Sequence, residues 1–121
     1  MRLRTLEIDS WQLQSAETSR LRNPAPFLLP PPELRRDLKP GDAVRLIFDI
    51  ETRDGLGTAV LTSVRLWVVV RERVGDVHVG TLDTEPGILP WKNPEGLRRG
   101  VEIPFKAEHV IEIAGRGREN G

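Results

Sequence analysis

The sequence predicts an α+β domain, mainly a strongly bent antiparallel sheet or small open barrel of about five strands with one short N-terminal helix. Short runs that alternate between apolar and polar residues recur between turn signals, as in AVRLIFDIE at 43–51. The length of 121 residues suits one compact domain. We place this β-rich domain at residues 1–114 and expect 115–121 to be a flexible tail.

The N-terminal third contains the predicted helix. Residues 3–9 alternate in polarity and predict a short strand, and a helix is expected at about 11–21, before an Asn-Pro pair. Residues 23–32 hold five of the ten prolines, which favours an extended strap. Because Phe27 lies within the strap, we expect it to cross the core rather than to act as a free recognition peptide. A short helical turn is expected at 33–38.

The central strands form the predicted framework of the sheet. Strands at 43–51 and 60–72 are expected to be antiparallel neighbours. The second contains the most apolar run of the chain, VRLWVVV. Such a run is typical of a strand covered on both faces, so Trp67, like Trp11, is predicted to lie in the core.

A return strand is predicted at 77–82, after a tight turn at 74–76. Gly80 lies in the middle of this strand, which indicates a bulge or a close approach by a large ring such as that of Trp67. The glycine therefore marks a position where the sheet needs space.

The last third combines a long loop with two short strands. Residues 83–100 contain three prolines and three glycines, and loops of this length are often functional. Strands are predicted at 101–105 and 109–113. The loop ends in Leu-Arg-Arg-Gly, which resembles the Leu-Lys-Pro-Gly at 38–41, so both segments are expected to be turns that lead into a strand.

The inward positions of these elements predict the core. Its members are Ile8, Phe27, Val44, Leu46, Phe48, Leu66, Val68, Val70, Val79, Leu82, Ile103 and Ile111.

Composition excludes several classes of protein. Cysteine is absent, so disulfides and thiolate metal sites are excluded, and a reducing cytoplasm is the expected location. The charged start and the lack of a long apolar run predict neither a signal peptide nor a membrane span. Eighteen basic and eighteen acidic residues are interspersed, which disfavours nucleic-acid binding. The basic pairs at 35–36 and 98–99 are interpreted as solvated surface.

No catalytic constellation is recognisable. The chain has no cysteine or tyrosine nucleophile, and its two histidines cannot form a three-histidine zinc site. A site of two histidines with Asp83 or Glu85 is conceivable, but His78 and His109 are more simply interpreted as ordinary strand residues. We therefore expect no enzyme activity, no catalytic residue, no metal and no cofactor.

The long loop is the predicted binding surface. Trp91 lies there between prolines, and tryptophan and arginine are enriched in binding hot spots. A loop-anchoring role for this ring remains an equal alternative. The predicted partner-binding residues are Arg65, Asp83, Glu85, Trp91 and Lys92.

The order of these segments resembles the small bacterial proteins of the domain of unknown function 2314 family. The matching segments are PF at 26–27, LKPGDAVRLIF at 38–48, RLWV at 65–68, VGTLDTEP at 79–86, LRRG at 97–100, Phe105 and HVI at 109–111. The chain departs from the family pattern at Val64, Thr84 and Val101. The family has no settled activity, and similar small β-rich domains occur as immunity proteins that neutralise toxins.

Three functions follow as hypotheses. The leading one is a non-enzymatic protein-binding domain, with an immunity-type inhibitor of a bacterial toxin as its specific form. The first alternative is a small-ligand-binding or enzymatic domain with a pocket near Asp83 and Glu85 and with His78 at its mouth. The second alternative is a nucleic-acid-binding small barrel.

Overall fold

The computed structural model describes residues 3–6, 10–16, 30–53, 55–84 and 97–114. Within these residues the strands are β1 (Trp11–Leu13), β2 (Ala43–Arg53), β3 (Ala59–Val74), β4 (Val77–Leu82), β5 (Glu102–Phe105) and β6 (Val110–Ala114). One helix, α1, spans Pro32–Arg36, and a 3₁₀ turn at Ala107–His109 joins β5 to β6.

The strands form one antiparallel sheet. The order is β1-β2-β3-β4-β5, and β6 also pairs with β2. The strands β1 and β6 share the same edge of β2, since β1 lies opposite residues 48–50 and β6 lies opposite residues 43–46. The long hairpin of β2 and β3, in register from Ala43–Val69 to Arg53–Ala59, is the centre of the sheet.

The connection from β5 to β6 requires the sheet to curl. These strands lie at opposite ends of the strand order, and only residues 106–109 join them. In a flat sheet they would lie about 19 Å apart, at about 4.8 Å per strand. A 3₁₀ turn advances only about 2 Å per residue, so this connection cannot span a flat sheet. The sheet accordingly forms a half-barrel, which confirms the predicted bent antiparallel sheet.

The helical part of the prediction is less accurate. The single described helix is a five-residue turn, so α+β fits the chain only loosely. The helix expected at 11–21 is wrong at its start, because Trp11–Leu13 is strand β1. The ring of Trp11 packs 5.4 Å from that of Phe48 and is 3% exposed. Burying this large ring against the sheet outweighs a weak helical pattern. Residues 3–6 are likewise not in the predicted strand.

The predicted central strands are confirmed, but one of them has a different environment. Residues 64, 66, 68 and 70 of β3 are buried in the core, whereas Arg65 is exposed and Trp67 and Val69 are half-buried. The prediction that β3 is covered on both faces is therefore wrong. Trp67 and Val69 are apolar although they lie on the outer face, so the sequence does not show the alternation between inward and outward positions along β3. The guanidinium carbon of Arg45 lies 5.2 Å from the Trp67 ring centroid on this outer face.

Gly80 is required by a close backbone approach. A Cβ atom at this position would lie 2.7 Å from the carbonyl oxygen of Val69 and would also overlap the side chain of Val68. The β3–β4 register shifts between Val70 and Glu72, directly beside the glycine. The predicted bulge and close approach are confirmed, and the neighbour is the β3 backbone with Val68 rather than the Trp67 ring.

The two similar turns have the same structure. Gly41 and Gly100 have φ values of +96° and +93°, which favour glycine. Each donates its N–H to a strand carbonyl at 2.8 Å, and Leu38 and Leu97 are both buried in the core. The repeated sequence pattern is therefore a repeated way of entering a strand.

The core lies inside the half-barrel. All predicted members within the described residues are buried, but Ile111 packs with Ala16 and Ile47 in a separate small cluster. Ile8 and Phe27 lie outside the described residues. Most of the proline-rich strap, residues 85–96 of the long loop and the tail at 115–121 also lie outside them. Among the helices of the described part, none has the length and apolar character needed to cross a membrane.

Candidate functional site

A cleft of about 300 Å³ lies where the β3–β4 turn meets α1 and the segment after β5. Charged side chains from these three segments line it, namely Arg35, Arg36, Arg73, Asp76, Lys106 and Glu108. Four of them are cationic and two are carboxylates, so they carry a net charge of two positive. The buried residue His78 also lines the cleft.

Arg35 ties α1 to the segment after β5. The helix begins with a proline, whose fixed φ suits the first helical turn, and this places Arg35 and Arg36 in its last turn. Arg35 is only 4% exposed. Its Nε donates to the carbonyl of Pro30 at 2.9 Å and its Nη1 to that of Ala107 at 3.4 Å. The two walls of the cleft are thereby held together by a buried guanidinium.

Arg73 ties the hairpin to α1. Its Nε donates to the carbonyl of Gly75 at 2.8 Å and its Nη1 to the carbonyl of Arg36 at 3.2 Å. At the rim, Lys106 Nζ lies 3.6 Å from Asp76 Oδ2, in an exposed ion pair. The side chain of Arg36 is exposed and makes no ion pair within the described residues. It is therefore available to a ligand.

His78 has a buried nitrogen without a partner. The residue is 2% exposed and its ring stacks on that of Phe105, with centroids 5.3 Å apart. Its Nδ1 has no hydrogen-bond partner. Burial lowers the pKa of His78, and the nearby charge of Arg73 lowers it further. His78 is therefore neutral near pH 7.

Unpaired buried nitrogens are rare enough to need an explanation. Among the described side chains, the other one is Arg45 Nε, whose guanidinium lies over the Trp67 ring. That contact with the ring face accounts for Arg45. Among the described residues no polar group pairs with Nδ1 of His78, and His78 is one of the residues that line the cleft.

His109 is a contrasting buried histidine. Its Nδ1 accepts the backbone N–H of Lys106 at 2.9 Å, which closes the 3₁₀ turn. Burial, followed by the charge of Lys106, lowers its pKa to about 4. Its Nε2 lies 3.6 Å from Glu108 Oε1. His109 is thus neutral and structural.

The residues of the predicted binding surface lie elsewhere. Arg65 is exposed on the outer face of β3, two residues from Trp67. Asp83 donates its N–H to the carbonyl of Trp67 at 2.9 Å, and its carboxylate lies 3.9 Å from Arg99. Asp83 lies at the opposite end of β4 from His78, about 17 Å away at about 3.3 Å per residue, and Arg65 lies farther along β3 from the cleft. Glu85, Trp91 and Lys92 lie outside the described residues. The cleft includes His78 but not Asp83.

Sequence reasoning did not find the cleft. The Arg35–Arg36 pair was interpreted as solvated surface, although Arg35 is buried. Lys106 and the hairpin residues Arg73 and Asp76 have no signal of their own in the sequence, because the three segments that line the cleft are far apart in the chain. The available signal was a histidine between two valines of a strand, VHV, where a buried imidazole needs a partner.

Comparisons with known proteins add no relative. A scan against protein-family models finds no match, and searches of curated proteins and of solved structures find none either. The resemblance to the domain of unknown function 2314 family stays a prediction. Within the described residues, no three histidine, aspartate or glutamate side chains are grouped so as to hold a metal ion.

Proposed function

We propose that the chain is a non-enzymatic binding domain that holds the anionic group of a small ligand in the cleft between α1, the β3–β4 turn and the segment after β5. The observation that carries this proposal is a cleft with excess positive charge that is lined in part by His78, a buried histidine whose Nδ1 has no hydrogen-bond partner. An anion would supply the counter-charge that the lining side chains lack and an acceptor for their free N–H groups.

The arrangement of the cations supports an anionic ligand. Arg35 and Arg73 each donate hydrogen bonds to two backbone carbonyls, so their charges are fixed in place. Arg36 remains free to contact a ligand. Fixed charges at the edge of a low-dielectric wall attract an anion more strongly than mobile surface lysines do.

The size of the cleft favours a small molecule. About 300 Å³ is at the lower limit of typical ligand sites. That volume holds an anionic group and a modest organic part. The rim carboxylates of Asp76 and Glu108 discourage a second anionic group at the entrance.

Titration with sulfate and phenyl phosphate at low ionic strength tests this function. Arg36→Ala removes an exposed guanidinium but keeps the carbonyl that Arg73 uses, so the fold should persist. We expect it to weaken binding roughly tenfold, since a hydrogen bond to a charged group contributes about 1.5–3 kcal/mol. Calorimetry and amide chemical shifts provide the measurement.

Arg98→Ala is the matched control, because Arg98 is exposed and lies in the turn before β5, away from the lining of the cleft. It makes the same change in net charge and should alter the dissociation constant less than about twofold. Equal weakening by both variants, or no binding of either anion by the wild-type chain at millimolar concentration, would contradict the proposal.

A second candidate is the protein-binding function expected from the sequence, in the form of an immunity-type inhibitor of a toxin. It is favoured by the outer face of β3, where Arg65 is exposed and Trp67 is half-buried beneath Arg45. Tryptophan and arginine are typical binding anchors. Co-purification from the native cells should recover one stoichiometric protein with the wild-type chain and with Arg98→Glu, but not with Arg65→Glu. Recovery of no stoichiometric protein would remove this candidate.

A further inference from the structure

We infer that the group bound in the cleft is a phosphomonoester-type dianion and that His78 takes up one proton when this group binds. The inference rests on the proposed ligand-binding function and adds the chemical class of the ligand and the linkage to pH. Both additions come from the charges that surround the His78 ring.

The charge balance of the cleft fits a dianion. With His78 neutral, the lining side chains carry a net charge of two positive. A carboxylate would neutralise only half of this charge, whereas a phosphate monoester carries up to two negative charges near pH 7. Once His78 is protonated the lining carries three positive charges, of which a dianion leaves one uncompensated and a carboxylate leaves two.

The positions of the donors fit a tetrahedral group. Cationic side chains come from three walls, with Arg36 on α1, Arg73 at the end of β3 and Lys106 after β5. A planar carboxylate is satisfied by one guanidinium in a bidentate contact. A phosphate group offers three terminal oxygens in different directions and can accept from several walls at once.

The proton uptake follows from the neighbours of the imidazole. The charged groups that line the cleft with His78 are Arg35 and Arg36 on α1, Arg73 on β3, Asp76 in the turn, and Lys106 and Glu108 after β5, while its neighbour on β5, Phe105, is uncharged. In the empty cleft, burial and Arg73 keep the ring neutral. A bound dianion offsets the positive charge around the ring and thereby favours the protonated imidazole. One proton then moves from solvent to the imidazole, and no other bond changes.

Sulfate is the first probe, because it remains a dianion throughout the pH range used. Its affinity for the wild-type chain should rise as the pH falls from about 8 to about 6, approaching tenfold per pH unit where only the complex is protonated. His78→Gln should bind sulfate with little pH dependence, whereas His109→Gln, if folded by circular dichroism, should keep the wild-type dependence.

Ring chemical shifts of His78 in the unmutated chain give a second measurement that needs no variant. Titrations with and without saturating sulfate should show a higher His78 pKa in the complex. In the ligand series, phenyl phosphate should bind at least about tenfold more tightly than benzoate, which has the same ring but a single charge.

The outcomes separate the two levels of the proposal. If neither sulfate, phenyl phosphate nor benzoate binds, the ligand-binding function itself is wrong. If anions bind but the affinity is independent of pH and the His78 pKa does not move, the proton uptake is wrong. If benzoate binds as tightly as phenyl phosphate, the dianion assignment is wrong while the function stands.

Discussion

The two ends of β4, a buried strand, differ in how the polar groups around them are paired. At the Asp83 end, the backbone N–H of Asp83 and the hydroxyl of Thr84 satisfy the polar backbone groups of Trp67. At the His78 end, charged side chains from three segments surround a cleft, and a buried ring nitrogen stays unpaired.

The difference separates a structural end from a candidate functional end. A strand end whose polar groups are all paired needs no ligand to complete it. An unpaired buried group lowers the stability of the empty protein, and a fold retains such a feature where a ligand or a reaction uses it. The contrast between the ends can be tested by changes that act on one of them.

The largest expected effect of pH concerns His109, which anchors the cleft wall after β5. Its folded pKa of about 4 lies below the ordinary value of 6.5, so the fold favours the neutral ring. Its contribution to stability is complete above pH 6.5 and is lost as the pH falls towards 4. The full loss is about 3 kcal/mol, of which about 2 kcal/mol is lost by pH 5.

Urea unfolding at pH 7 and pH 5 measures this loss. His109→Gln lacks the titration and should remove about 2 kcal/mol of the difference between the two pH values, while carboxylate titrations remain common to both proteins. Protonated His109 cannot accept the N–H of Lys106, and the 3.6 Å contact with Glu108 only partly compensates. An identical pH dependence in the variant would show that the ring protonates freely in the folded state.

The two ends also differ in how far the sequence predicts them. The limits of β4 were predicted as observed, because a two-residue glycine turn and an alternating valine pattern are local signals. The turns at Gly41 and Gly100 were predicted for the same reason. Local chemistry therefore defined most of the sheet.

The cleft is formed by segments that are distant in the sequence, so no local sequence pattern predicts it. Arg73 and Lys106 come together because β4 pairs with both β3 and β5 beside His78, and Arg36 joins them from α1. The prediction for Trp67 is wrong for a related reason. Its apolar neighbours predict burial on both faces of β3, whereas which face is covered by other residues depends on the three-dimensional structure. Residue types in the sequence predict a binding surface near Asp83. In the structure, the unpaired nitrogen of His78 and the charged cleft indicate a site near His78.

A smaller effect is expected from Trp67→Ala at the Asp83 end. The ring is half-buried and packs under Arg45, and its removal leaves the backbone bonds to Asp83 and Thr84 intact. We expect a loss of about 2 kcal/mol in the free energy of unfolding, measured by urea titration. Trp11→Ala, which removes a ring that is only 3% exposed, should cost about 3–5 kcal/mol. An equal loss in both variants would mean that the outer face of β3 is a second core.

The smallest effects come from the same substitution made at both ends. Asp83 and Asp76 each form an exposed ion pair, at 3.9 Å with Arg99 and at 3.6 Å with Lys106. Asp83→Asn and Asp76→Asn should each change the free energy of unfolding by less than about 0.5 kcal/mol.

Their effects on sulfate binding should differ. Asp76→Asn removes a carboxylate from the rim and frees Lys106, which should raise the affinity about threefold at low ionic strength. Asp83→Asn should leave that affinity unchanged, because about 17 Å separates it from His78 and salt screens the interaction. If both variants change sulfate affinity by the same factor, the anion responds to overall charge, and the His78 end has no site that the Asp83 end lacks.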